Sequence, residues 1–176
     1  MQRLPLLDWV CFMYSLKSDQ IELSPSVSDF LTQLVRRIDF DFVVTSGTRS
    51  ARQQAQAMFT KIELGDDLLK IYKDDVFAQK IIDSYPSIEE ATQIVKEYAA
   101  SGGGSTHLRG LGVDIRSRDL TAEQIQTIKR ESEALGAFVL VERTPPHIHI
   151  SVKKKPMTTN IAMLALLGYG ICRVNQ

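Results

Sequence analysis

The chain has 176 residues, of which 44% are hydrophobic, and its 21 basic and 21 acidic residues cancel. This length predicts one domain with a proper core and is too short for two comfortable ones. No stripe of lysine and arginine with interleaved aromatic residues occurs, so we expect no nucleic-acid interface. Cys11 and Cys172 lie near opposite ends without metal-ligand spacing, and we expect free buried thiols.

The apolar segments at the two ends are predicted to pack on the domain or on a partner. Residues 1–20 are predicted to form an amphipathic helix packed on the main domain, since Asp8 and the lack of a small-residue cleavage site make a poor secretory signal. The main domain is predicted over residues 21–155. Residues 156–176 form an apolar tail whose longest apolar run is below the roughly 20 residues that span a bilayer. We expect no transmembrane span, and the tail is a candidate for self-association.

Between these ends, the hydrophobic pattern predicts alternating helices and short strands. The predicted helices, several opened by capping residues, cover residues 26–38, 50–64, 74–83, 87–100 and 121–135. The predicted strands cover residues 40–47, 111–117, 137–142 and 147–152. The pattern therefore predicts an α+β fold, with a small, mainly antiparallel sheet and helices packed on one face. For residues 65–100 it indicates packing, with an edge that contacts the cleft.

All three histidines belong to two fragments, "STHLRGLGVD" at 105–114 and "PPHIHIS" at 145–151. Side chains alternate between the faces of a strand, so Asp114 points away from its aliphatic neighbours. His147 and His149 point away from theirs for the same reason. Polar, metal-competent side chains are thus predicted on one face of the sheet and a core on the other.

His107 lies in the loop before the strand that carries Asp114. Gly110 and Gly112 let this loop fold back, so that the imidazole reaches the same point. Two imidazoles, one carboxylate and a free fourth position are typical of a catalytic zinc site. We therefore expect a zinc cleft on the polar face of the sheet.

These fragments resemble a known group of zinc peptidases. The pattern SxHxxGxxxD, followed by a His-x-His strand, resembles the group of D-alanyl-D-alanine carboxypeptidases and dipeptidases, lysostaphin-type endopeptidases and the hedgehog signalling domain. Upstream, "VTSGTRSARQQ" at 44–54 resembles the SGYRSxxxQ segment of the D-alanyl-D-alanine peptidases, and "IELSP" at 21–25 resembles their lead-in. The resemblance covers roughly residues 21–152.

The resemblance implies one Zn²⁺ ion per chain and a substrate anchor beside it. The implied zinc ligands are His107, Asp114 and His149. Arg49 matches the arginine that anchors a substrate carboxylate or carbonyl, while Gln54 and Ser105 match polar residues that line that site.

The sequence departs from the group at two positions. Gly112 stands where alanine is usual, a change that we expect to be tolerated. Pro146 stands three positions before the last zinc histidine, where carboxypeptidases of the group usually have an acidic residue. His147 and Glu142 are the remaining candidates for the general base. We favour His147 as base or transition-state stabiliser, with Glu142 supporting it or serving as the base itself.

The function implied by the resemblance is hydrolysis of amide bonds in peptidoglycan peptides that contain D-amino acids, by a zinc peptidase domain over residues 21–155. Carboxypeptidase and endopeptidase action both remain open. The alternatives are a zinc-stabilised peptide or cell-wall binding module without turnover, and a structural protein in which the metal staples the fold.

The missing signal pattern predicts synthesis in the cytoplasm and action on the cell wall as a phage lysis or virion-associated protein. The tail at 156–176 is then a candidate for virion contact. A cytoplasmic recycling peptidase is the other possibility that the pattern leaves open.

Overall fold

The computed structural model describes residues 13–143 and 145–153, which form six helices and five strands. In chain order these are β1 (Tyr14–Leu16), α1 (Pro25–Val35), β2 (Phe42–Ser46), α2 (Ala51–Glu63), α3 (Leu68–Ile71), α4 (Asp75–Ser84), α5 (Ile88–Ala100), β3 (Gly112–Arg116), α6 (Ala122–Ala134), β4 (Phe138–Arg143) and β5 (Pro146–Ser151). The predicted α+β fold is confirmed. The short helix α3 was not predicted, because four residues are too few to show a helical period.

The five strands form one sheet in the order β1-β2-β3-β5-β4. The β1–β2 pair is parallel and the other three pairs are antiparallel, so the expectation of a mainly antiparallel sheet is confirmed. Strands β4 and β5 follow each other in the chain, and β5 lies between β4 and β3. Strand β5, which carries two histidines, is therefore a central strand.

The aliphatic face of the sheet packs against α1 and α6 around the larger of two cores. Alternate residues of the strands enter this core, as the period of two predicts. Its fully buried members include Leu31, Leu34, Val44, Val113, Ile115, Ile128, Ile148 and Ile150. The aliphatic residues of β3 and β5 thus hold their polar neighbours on the opposite face.

Helices α2 to α5 surround a second core of their own. Its buried members include Met58, Phe59, Leu68, Phe77, Ile81 and Val95. Helix α2 packs on α5, and it also contacts β4 through Lys61, whose ammonium lies 3.1 Å from Glu142 Oε2. Residues 65–100 therefore pack around their own core, as expected. Helix α2 joins this core to the polar face of the sheet.

Residues 13–20, the described part of the helix predicted over residues 1–20, contain no helix. Tyr14–Leu16 form β1, because the open edge of β2 offers backbone partners: Lys17 N donates to Val44 O at 2.8 Å. Residues 1–12 lie outside the described residues, as do the whole tail at 156–176 and both cysteines. Among the helices of the described part, none is long and apolar enough to cross a membrane.

We expect the core between α1 and the sheet to dominate stability. Replacing Leu34, which is 0% exposed, with alanine should lower the free energy of unfolding by about 2–5 kcal/mol, because it leaves a cavity. The matched substitution Leu64→Ala, at a residue 52% exposed, should cost less than about 1 kcal/mol. Urea denaturation followed by circular dichroism measures both. Equal losses would contradict the assignment of this core.

Candidate metal and catalytic site

Strand register places the polar side chains of three strands together. Asp114 of β3 pairs with His149 of β5, and His147 pairs with Glu142 of β4. Paired residues lie on the same face of a sheet. The predicted common face of Asp114, His147 and His149 is therefore confirmed, and Glu142 shares it.

The loop before β3 brings His107 to the same point. The side chain is only 3% exposed, and its Nδ1–H donates to the carbonyl of Gly47 at 2.6 Å. Since a carbonyl can only accept, this contact leaves the lone pair on Nε2. Nε2 lies 3.2 Å from Asp114 Oδ1 and 3.2 Å from His149 Nδ1.

A metal ion could be held by His107, Asp114 and His149. Among the described residues, this is the group of metal-ligating side chains whose ligand atoms all lie within 4.8 Å of one another. Their facing atoms are 3.2, 3.2 and 2.8 Å apart. Two ligands that share a tetrahedral zinc lie roughly 3.4 Å apart, so the three donors fit one ion after small adjustments. The donor set, two imidazoles and a carboxylate, is also one that zinc accepts.

The outer atoms of these side chains have partners that fix their orientation. His149 Nε2 lies 3.1 Å from Ser151 Oγ and 3.2 Å from Thr106 Oγ1, so Nδ1 is the nitrogen that faces the cluster. Asp114 Oδ2 accepts from Arg49 at 2.8 Å and leaves Oδ1 for the cluster. Partners of this kind orient ligands and strengthen metal binding.

Asp114 is nearly buried but stays ionised. Burial by itself would raise the pKa of this carboxyl, yet its contacts with the imidazoles of His107 and His149 and the charge of Arg49 hold the pKa well below its usual value. The site therefore presents a carboxylate, the form that binds a metal ion.

Arg49 is engaged through all three of its nitrogen positions. Its Nε donates to Ser46 at 2.9 Å, one terminal nitrogen donates to Asp114 at 2.8 Å, and the other lies 3.5 Å from Gln54 Oε1. Ser105 Oγ donates to the same Gln54 oxygen at 3.0 Å. The structure thus brings together the three residues predicted to bind substrate, and it adds a contact between Arg49 and Asp114.

A shift in strand register supplies the Ser46 contact. Val44 pairs with Ile115, but Ser46 pairs with Asp114, so β2 carries one extra residue at this point. Such a shift re-aims a side chain. Ser46 therefore lies with Asp114, which the alternation of residues in a regular strand would not have predicted.

His147 and Glu142 form a charged pair next to the cluster. His147 Nε2 lies 3.5 Å from Glu142 Oε1 and 3.8 Å from Asp114 Oδ1, and Nδ1–H donates to Pro145 O at 2.7 Å. Lys61 of α2 contacts the other Glu142 oxygen at 3.1 Å. Lys61 was not predicted from the sequence. It lies seven residues after Gln54, and residues at this spacing share a helix face. The prediction of Gln54 as a site residue therefore also indicates Lys61.

The contacts within this pair favour the ionised form of both residues. The hydrogen bond with His147 lowers the pKa of Glu142 to about 2 against the opposing effect of burial, and Lys61 adds to the lowering. Burial alone would lower the pKa of His147, but Glu142, Asp114 and the Pro145 carbonyl together raise it. Both ring nitrogens face acceptors, which explains the preference for the imidazolium form.

Gly112 makes room for His107. A Cβ atom built on it would lie 2.7 Å from Thr106 Oγ1, 2.8 Å from His107 N and 2.9 Å from His107 Cγ. Backbone cannot yield as a flexible side chain would. The glycine is thus required by the packing of this loop on β3, although alanine is usual in the group that the sequence resembles.

Gly112→Ala should displace His107 and weaken metal binding by about 10–100-fold, the usual effect of disturbing the support of a ligand. Gly65→Ala is the control: its Cβ meets nothing within 4 Å, although the positive φ of 83° costs stability. Zinc titration with a competing chelator measures affinity, and thermal unfolding measures stability. An unchanged zinc affinity in Gly112→Ala would contradict the close approach.

Comparison with known proteins agrees with this geometry. The family model described as VanY, D-alanyl-D-alanine carboxypeptidase, matches residues 21–142. Neither a curated protein nor a solved structure matches the chain significantly. The match includes His107 and Asp114 but ends before His149, which the strand pairing brings to them. Because the family model covers more than half of the chain, the protein belongs to the D-alanyl-D-alanine carboxypeptidase family.

Proposed function

We propose that the protein is a zinc-dependent carboxypeptidase that hydrolyses an amide bond between D-amino acids in peptidoglycan peptides. The observation that carries this proposal is the three-donor cluster of His107, Asp114 and His149 in a chain of this family. Family membership supports the substrate class, and the cluster supports the metal. Roles in cell-wall degradation, phage lysis or virion contact stay predictions.

The cluster would hold the metal through His107 Nε2, Asp114 Oδ1 and His149 Nδ1. When bound, a zinc ion supplies Lewis acidity that activates a water molecule and polarises the scissile carbonyl. The chain orients the three ligand side chains, because each of them contacts a polar partner on the side that faces away from the cluster. It also contributes a buried negative charge, which Arg49 balances from the protein side.

Arg49 also serves as the substrate anchor in this proposal. Its contacts with Asp114 and Ser46 are short, but the nitrogen that faces Gln54 is 3.5 Å away. That nitrogen is the one available to a peptide carboxylate or carbonyl. A charge-assisted hydrogen bond there would fix which amide bond meets the cluster.

His147 is proposed as the group that touches the reacting atoms. Its Nδ1 is occupied by the Pro145 carbonyl, so Nε2 is the atom that gives or takes a proton on the side of the cluster. Glu142 acts through His147 by increasing its affinity for a proton, and Lys61 holds Glu142 in place. In the protonated form, His147 stabilises negative charge on the carbonyl oxygen.

The polar network beside the cluster favours an enzyme over a protein in which the metal only stabilises the fold. A structural metal site needs a complete set of protein ligands and nothing more, whereas this site adds Arg49, Gln54 and Ser105 in contact with one another. A binding module without turnover would keep that network and would not need the His147–Glu142 pair.

The direct test of the proposed function is digestion of purified peptidoglycan and of peptides ending in D-Ala-D-Ala. Mass spectrometry should detect loss of the terminal residue, inhibited by a chelator and restored by zinc.

His107→Ala should lose both bound metal and hydrolysis, because one of three ligands is removed and the Gly47 carbonyl loses its donor. Metal content by atomic emission and release of D-alanine are measured on the same preparation. Thr121→Ala, which removes a helix cap on α6, is a control for lost stability without loss of metal. Full zinc occupancy in His107→Ala would refute the ligand assignment.

His147→Ala should keep its zinc and lose hydrolysis by about 10²–10⁴-fold, the usual effect of removing a positioned acid or base. Glu142→Gln and Lys61→Met should each lower kcat less, with KM nearly unchanged, because both act through His147. Lys61→Arg keeps the positive charge and should therefore retain much of the kcat that Lys61→Met loses. If Glu142→Gln is the more severe variant, Glu142 is the base; if His147→Ala is fully active, the assignment is wrong.

A further inference from the structure

Residues 21–24, the lead-in segment to α1, contact two loops of the candidate site, although they include none of the residues assigned to that site. Glu22 and Thr48 form an antiparallel bridge, in which Thr48 N donates to Glu22 O at 2.8 Å. Two residues further on, Ser24 Oγ donates to the carbonyl of Gly110. The lead-in segment is therefore bonded both to the loop after β2 and to the loop before β3.

These two loops are also bonded to each other. His107 Nδ1–H donates to Gly47 O at 2.6 Å, and Arg49 N donates to His107 O at 3.2 Å. The loop after β2 carries Arg49, the substrate anchor of the proposed function, and the loop before β3 carries the candidate ligand His107. The three segments thus form a closed ring of hydrogen bonds, and a displacement of one segment changes the distance between the anchor and the ligand.

Two glycines allow the three segments to approach one another. Gly47 is buried, and a Cβ atom on it would overlap the carbonyl oxygen of Glu22 and lie 2.8 Å from Leu23 Cδ2. Gly110 has a positive φ of 66°, and a Cβ atom there would lie 3.2 Å from Ser24 Cβ. A side chain at Gly47 would therefore push the lead-in segment away, and one at Gly110 would be both strained and crowded.

Ser24 is also the N-cap of α1. Its hydroxyl oxygen accepts from Val27 N at 3.3 Å, and Pro25 follows at the start of the helix, where proline is common. A serine hydroxyl can cap the helix and bond to Gly110 at once, because it donates one proton and accepts through its lone pairs. An ionised aspartate at this position could cap the helix, but it has no proton to donate.

The bond from Ser24 to Gly110 connects the larger core to the metal cluster. Val27, one turn into α1, is buried in that core, so the start of the helix is held in place. Gly110 N donates to His107 O at 3.1 Å, and a movement of Gly110 is therefore passed to the backbone of the ligand. Because Gly110 and His107 are both buried, loss of the donor to the Gly110 carbonyl favours a movement of this loop toward water.

We propose that Ser24 is a positioning residue of the metal site: by holding Gly110, it fixes the loop that carries His107, so that the imidazole faces Asp114 and His149. Ser24 acts through this loop and not on the reacting atoms. Its effect on hydrolysis rests on the proposed function, whereas its effect on the position of the loop does not.

Three substitutions separate the bond to Gly110 from the helix cap. Ser24→Ala removes both, Ser24→Asp keeps the cap and removes the donor, and Ser87→Ala removes only a cap, that of α5. Ser24→Ala and Ser87→Ala should each lower Tm by about 2–4 °C, the usual effect of a lost cap in a chain of this size. Ser24→Asp should lower Tm less.

Zinc affinity should follow the bond to Gly110 and not the stability of the chain. Ser24→Ala and Ser24→Asp should each weaken zinc binding about three- to tenfold, measured by titration against a competing chelator, because Ser24 acts one step beyond the direct partners of a ligand. Ser87→Ala should bind zinc as the wild type does, and Ser24→Thr, which retains the hydroxyl, should keep most of the affinity.

Kinetics at saturating zinc give a second readout. For a peptide ending in D-Ala-D-Ala, kcat of Ser24→Asp should fall by a factor similar to the loss of zinc affinity, because His107 holds the metal in a changed position. KM should stay nearly unchanged, since Arg49 keeps its own contacts with Ser46 and Asp114.

Hydrogen exchange tests the loop without any metal. In the zinc-free chain, the amides of residues 106–111 should exchange about threefold or more faster in Ser24→Asp than in the wild type, whereas Ser87→Ala should leave them unchanged. Unchanged exchange in Ser24→Asp, or zinc affinity equal to that of the wild type, overturns the role of Ser24. A wild-type chain that binds zinc but hydrolyses no peptide overturns the proposed function instead, and the affinity and exchange results still decide the role of Ser24.

Discussion

The pairing of Asp114 with His149 is the constraint on which the rest of the site depends. It is a register contact between two central strands, held on the reverse face by the fully buried Ile115, Ile148 and Ile150. A slip of one residue would turn either side chain into the core. The hydrophobic effect acting on one face of the sheet thus determines the geometry of charged and metal-competent groups on the other, and His107 is added to this pair by a loop that only Gly112 allows to approach.

The negative charge of a buried carboxylate must be balanced by nearby positive charge, and two cations do this along the polar face of the sheet. Arg49 balances Asp114 directly, and Lys61 balances Glu142 at the next pair of residues along the face. Removing one partner of such a pair leaves an uncompensated charge, which costs far more than an exposed pair contributes. Both cations come from the chain around α2, so the helical segment and the sheet share one electrostatic arrangement.

The sequence predicted the faces of β3 and β5 and most element boundaries within a few residues, because these follow from strand alternation and helix capping. The ligand set stays a prediction that the resemblance implies, and the structure places its three residues together. It did not predict β1, whose three residues pair with an edge that exists only once the sheet has formed. Nor did it predict the place of Ser46, since one extra residue in β2 reverses its expected face. Lys61 was not predicted for a related reason: it meets Glu142 through tertiary packing, and its spacing of seven residues from Gln54 marks it only once Gln54 is placed in the site.

The position of the α2–α5 cluster between β2 and β3 has a consequence for the order of folding. Contacts within this cluster are close in sequence, so they form without closing a long loop, whereas β2 can meet β3 only after the chain has returned across the whole cluster. Asp114 and His149 are only 35 residues apart in the chain, so their pairing closes a shorter loop than the pairing of β2 with β3 does. The three candidate ligands can therefore meet before β2 joins β3, whereas Arg49, which precedes the α2–α5 cluster, reaches Asp114 only when that longer loop closes.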